Sequence, residues 1–86
     1  MYACNLPDEV MIPDPLVPFL EKGQLDEGAR SVAAAWVKKQ AAAKSATCGF
    51  WRKRIVRNVD VCERYNQPEC AEFFAFVRDL IEKAWA

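Results

Sequence analysis

The sequence predicts an all-α fold: a disulfide-stapled antiparallel helical hairpin, preceded by a long Ala-rich helix and an extended Pro-rich N-terminal arm. Three observations predict it. Apolar residues recur at helical spacing through the second half of the chain, and no stretch alternates with the period of a strand. Cys62 and Cys70 flank a short turn-like segment between two such stretches. Pro7, Pro13, Pro15 and Pro18 all fall early in the chain.

Those prolines remove backbone donors and push their neighbours towards extended conformations. Residues 1–25 are therefore expected to form an arm that lies across another surface through Leu6, Val10, Met11, Ile12, Leu16 and Val17. A single helical turn over Pro18–Lys22 would end at Gly23. Residues 26–86 are expected to form the helical hairpin domain.

The first helix of that domain starts near Asp26, a good N-cap, with Glu27 at the positive end of the helix dipole. Ala33 to Ala46 is dense in the best helix-forming residue, and Val32, Trp36 and Ala43 set a seam. Gly49 either bends this helix or separates it from the next one. Cys48, Trp51, Ile55, Val59 and Cys62 then follow at spacings of 3, 4, 4 and 3, an amphipathic stripe. Asn66 is placed as the N-cap of the last helix, with Glu69 three residues on and Pro68 in the first turn. Cys70, Phe73, Phe74, Val77, Leu80, Ile81 and Ala84 form the apolar face of that helix.

If the two cysteine-bearing helices pair antiparallel, Cys62 and Cys70 meet across the turn. A Cys62–Cys70 disulfide would stabilise by about 2.5 kcal/mol through loop closure. Cys48 then faces Ala84, which leaves Cys4–Cys48 to tie down the arm. Spacing alone does not fix connectivity among four cysteines. Four reduced, buried cysteines are the bland alternative. A zinc site is disfavoured, because there is no C-x-x-C pair and no His.

Composition narrows the function. The chain has 86 residues, with 12 Lys plus Arg balanced by 12 Asp plus Glu. A neutral chain has no long-range pull on nucleic acid. The missing His removes the commonest general base and metal ligand. A non-catalytic protein is expected, with no catalytic residues, no metal, no cofactor and no small-molecule substrate. Three Trp and five Phe are many for this length. Trp36, Trp51, Trp85, Phe50 and Phe76 are the candidate partner-binding residues, with Trp36 expected to meet a partner chain. Arg52, Lys53, Arg54 and Arg57 form a basic run, a candidate contact for lipid phosphates or an acidic neighbour. Such a run is more often a plain solvated helix face.

The longest apolar runs, Val32–Val37 and Phe73–Val77, fall well short of a membrane span. Met1–Val10 is acidic and has the features of neither a secretory signal nor a mitochondrial presequence.

Cys48, Cys62 and Cys70 on two helix-forming arms resemble the coiled-coil-helix-coiled-coil-helix (CHCH) family of the mitochondrial intermembrane space. Residues 14–85 also resemble the PDSW accessory subunits of respiratory complex I. That likeness lies in Asp14-Pro15, Trp36 and Gln40, Cys62-Glu63-Arg64, Cys70, and the helix with Phe73, Phe74 and Phe76. The chain departs from both, with a single cysteine on its last helix and no Gly in the turn. The resemblance implies a structural accessory subunit that staples neighbouring subunits on the intermembrane-space side of the inner membrane. The alternatives are a small cytosolic or virus-encoded helical binding or inhibitor protein with reduced cysteines, and a secreted disulfide-rich module.

Overall fold

The computed structural model describes residues 10–23, 25–43 and 48–85. All regular structure among them is helical: a 3₁₀ turn at Asp14–Leu16, then α1 (Val17–Lys22), α2 (Glu27–Ala43), α3 (Cys48–Arg64) and α4 (Pro68–Ala84). Among the described residues, no helix is long and apolar enough to cross a membrane.

Local chemistry sets the helix ends. Gly23 adopts φ 71° and its N–H returns to the carbonyls of Phe19 and Leu20, closing α1. Asp26 caps α2 as expected, its Oδ1 accepting from the Ala29 N–H at 3.3 Å. The α3–α4 turn differs from the expectation. Asn66 is not the N-cap of α4; it terminates α3, at φ 57°. Its N–H donates to Glu63 O at 3.1 Å, and the Gln67 N–H donates to Cys62 O at 2.8 Å. This is the Schellman pattern, in which Asn is the best substitute for Gly at the left-handed position. Gln67 precedes α4 without a side-chain cap, and Pro68 begins the helix.

The tight turn folds α4 back along α3. The Nη2 of Arg52, near the start of α3, donates to the carbonyl of Trp85, just past α4, at 2.9 Å. The two helices are therefore antiparallel, and they share the most extensive packing in the molecule. Ile55, Val59, Val61 and Cys62 of α3 meet Cys70, Phe73, Phe74, Val77 and Ile81 of α4, all buried. The Phe73 and Phe74 rings sit 5.9 Å apart, edge to face.

α2 runs alongside α4 in the same direction. Arg30 pairs with Glu72 at 3.8 Å near one end, and the Trp85 indole N–H donates to Val37 O at 2.9 Å near the other. Its buried face consists of Ala29, Ala33, Trp36 and Val37. Of the predicted seam, Val32 is half-buried, Trp36 buried and Ala43 exposed.

The segment expected to be an extended arm is helical over Asp14–Lys22 and belongs to the same core. Val10, Pro13, Leu16 and Leu20 are buried. It reaches α2 through the 3₁₀ turn and α3 through its backbone. Asn58, 1% exposed, is the buried polar side chain that holds it. The Asn58 Nδ2 donates to Met11 O at 2.6 Å, and its Oδ1 accepts from the Met11 N–H at 3.3 Å. A side-chain amide thus satisfies both backbone groups of one residue, as a neighbouring β-strand would. Pro15 and Pro18 sit in the first turns of the two short helices, where no N–H is needed, while Asn58 supplies the partner for the Met11 backbone ahead of them.

Gly49 lies inside the first turn of α3, and a Cβ there would meet nothing within 4 Å. α2 and α3 are separate helices, and their boundary falls before Gly49.

Candidate functional site: the exposed face of α3

Phe50, Lys53, Arg54 and Arg57 recur at spacings of three and four, so they share one face of α3. They line a shallow hollow of about 270 Å³. Phe50 is 43% exposed, a large apolar ring left in water. The Arg54 guanidinium lies 5.1 Å from the centre of that ring, a cation–π arrangement that holds both groups in place. Among the described residues, no carboxylate lines the hollow. Lys53 has no ion-pair partner among the described residues. A cationic face with a pre-positioned aromatic ring suits a partner that offers carboxylates or phosphates beside an apolar group.

Arg52, grouped with these residues in the sequence, does different work. Its bond to Trp85 O ties the start of α3 to the end of α4.

The three tryptophans gather at the same end of the molecule. Trp36 lies edge-on to Trp51, with ring centres 5.4 Å apart, and tilted against Trp85 at 5.9 Å. Trp36 is only 8% exposed. Contrary to the expectation that it meets a partner chain, it fills the protein's own core. Trp51 and Trp85 are half-buried around it. Phe76 is also half-buried, with the Arg30 guanidinium 4.8 Å over its ring. Of the five predicted partner-binding aromatics, Phe50 alone stands exposed.

The cysteines depart furthest from the reading. Cys62 and Cys48 are free thiols, so neither Cys62–Cys70 nor Cys4–Cys48 is formed. Cys70 is disulfide-bonded, and no disulfide joins two described residues; Cys4 lies outside them. The turn explains why the hairpin dispenses with the clamp. Its two backbone hydrogen bonds already close it, leaving Cys62 to pack as a small apolar side chain. Burial pushes the Cys62 thiol from 9.0 up to about 11, which makes it a poor nucleophile at neutral pH. Cys48 is half-buried, and its Sγ–H points at Gln40 O, 3.6 Å away. Among the described residues, no group of three His, Cys, Asp or Glu side chains is placed to hold a metal ion.

Asn58 is the residue that the sequence reading missed. The available signal was its position in register with Ile55 and Cys62, a polar residue on an otherwise apolar stripe. Comparison with known proteins finds no matching family model, no matching curated protein and no matching solved structure.

Proposed function

We propose that this chain is a non-catalytic binding subunit that docks on a larger assembly through the exposed face of α3. The observation that carries the reading is the Phe50–Lys53–Arg54 surface, an exposed ring among cations with no carboxylate in its hollow among the described residues. The partner is a protein or membrane surface that bears negative charge. The disulfide at Cys70 supports an oxidising compartment. The CHCH and PDSW resemblance makes that compartment the mitochondrial intermembrane space, and the assembly respiratory complex I at the inner membrane.

A second reading, a cytosolic or virus-encoded helical binding protein, is favoured by the two free thiols at Cys48 and Cys62. Both readings use the same face and differ in address.

The test is to express the tagged chain in cells, alkylate thiols before lysis and resolve native complexes on a gel. Co-migration with a mitochondrial membrane complex and an unalkylated Cys70 support the first reading. A free chain in the cytosol with Cys70 alkylated would support the second. Lys53→Glu with Arg54→Glu should abolish docking in either case and leave the helical circular dichroism intact. Unchanged docking by that variant would remove α3 as the interface.

A further inference from the structure

A second surface runs along the seam of α2 and α4 and shares no residue with the α3 face. Two adjoining hollows, each about 450 Å³, meet at Ala34. Together they make one groove. Its α2 wall is built of small side chains, Ser31, Ala34 and Ala35, and its α4 wall of half-buried Phe76 and Leu80. From Ser31 to Lys38 the groove follows α2 for roughly 10 Å, at 1.5 Å per residue.

The charges along the groove are uneven. At one end Arg30 is engaged by Glu72 and Phe76, and Glu27 lies beside it. At the other end Lys38 and Lys83 flank the apolar floor of Val37, Leu80 and Ala84, and among the described residues no carboxylate lines that half. Neither lysine has an ion-pair partner among the described residues. Two exposed ammonium groups therefore border an apolar trough on both sides, one from each helix.

We propose that this groove seats one amphipathic helix of a partner protein, with carboxylates on that helix meeting Lys38 and Lys83. Three features favour a helix. The small α2 wall lets another helix approach to the 8–10 Å typical of packed helices. The trough is open along its length, so a lone acyl chain would stay half in water, whereas a helix covers both walls. A carboxylate one turn along a docked helix from its apolar anchor reaches the rim as that anchor enters the floor. With α3 already a docking face in the function proposed above, a second face lets one small chain bridge two neighbours. The groove proposal rests on that reading only in taking the partner to be a protein.

The test is selection from a displayed library of helical peptides with randomised flanks, using the full-length oxidised protein as bait. Ala34→Arg, which fills the trough, serves as the counter-selection. The expected binders carry Asp or Glu at i and i+3 or i+4 beside a large apolar residue. They shift the amide resonances of Ser31, Ala34, Lys38 and Lys83, and they lose at least tenfold in affinity for Lys38→Glu with Lys83→Glu. Binders without acidic bias, or with equal affinity for the reversed-charge variant, would overturn the proposal, as would a library that yields no binder. A concentration-dependent dimer abolished by Ala34→Arg would give the groove to a second copy and also overturn it. Parallel binding to Lys53→Glu with Arg54→Glu keeps the two faces separate: the groove peptides should bind that variant normally, whatever becomes of docking through α3.

Discussion

The α3–α4 hairpin and the strap of residues 10–22 bury the same kinds of side chain and reach their places by opposite routes. The hairpin is local. A three-residue turn closes it with two backbone bonds, and large side chains meet across the seam: Ile55, Phe73, Phe74, Val77 and Ile81. The strap is held by a polar group 47 residues away in sequence, the Asn58 amide on the Met11 backbone. α2 depends on both. Ala29 and Ala33 bury little area, so this helix gains its stability from what lies on either side of it. Proximity in sequence makes the hairpin robust, and one well-placed amide makes the strap conditional.

Phe74→Ala should break the comparison at its strong end. The residue is fully buried, and its loss should cost about 4 kcal/mol, read as a shift of the denaturant midpoint with all helices melting together. Asn58→Ala should cost somewhat less, about 3 kcal/mol, because it removes both hydrogen bonds to the Met11 backbone and empties the buried site that the amide fills. Its signature is selective. Amide exchange should speed up over residues 10–22 while the α3–α4 amides stay protected, and uniform acceleration would mean that the strap and hairpin are one unit.

Alkalinity sharpens the contrast from the hairpin side. The Cys62 thiol is pushed up from 9.0 to about 11, so the folded state favours its neutral form. That contribution is complete below pH 9 and is lost as pH rises through 11. Wild type should lose about 2 kcal/mol more than Cys62→Ala between pH 8 and pH 11. Equal slopes in paired urea melts would show that the thiol ionises alike in both states.

The smallest effect lies in the turn. Asn66→Ala should cost about 1 kcal/mol at its left-handed position, and Asn66→Gly should be neutral or better, measured by thermal melting. Finally, alkylation of unreduced, denatured protein should label Cys48 and Cys62 and spare Cys70; labelled Cys70 would remove the disulfide.

The hairpin was legible because its signals are local. The 3- and 4-residue spacing of Trp51, Ile55, Val59 and Cys62 needs no knowledge of the partner, and neither do the cap at Asp26 or the stop at Gly23. The strap was legible only in part: the turn over Pro18–Lys22 and the contacts of Val10 and Leu16 were expected, the 3₁₀ turn before them was not. Its prolines argue for extended backbone, yet Pro15 and Pro18 occupy the first turns of the 3₁₀ turn and of α1, where a missing N–H costs nothing. Asn66 was misassigned because Asn suits two adjacent tasks, capping a helix that follows and ending one that precedes. Only the backbone sign at that residue separates them. Trp36 was misjudged for a different reason: two tryptophans distant in sequence, Trp51 and Trp85, pack on its ring and cover it. The α3 surface was half legible, since charge spacing gave the face, but Arg52 left it for a carbonyl on another helix.

The amide bridge between Met11 and Asn58 also orders events in time. The strap leaves the ribosome first, yet its anchor is made 47 residues later. At 5–20 residues per second, that is about 2–9 seconds in which Val10, Leu16 and Leu20 have no core to enter. During that interval the early segment is open to capture by any apolar groove in reach. The α3–α4 turn, closed by bonds between residues three and five apart, faces no such wait.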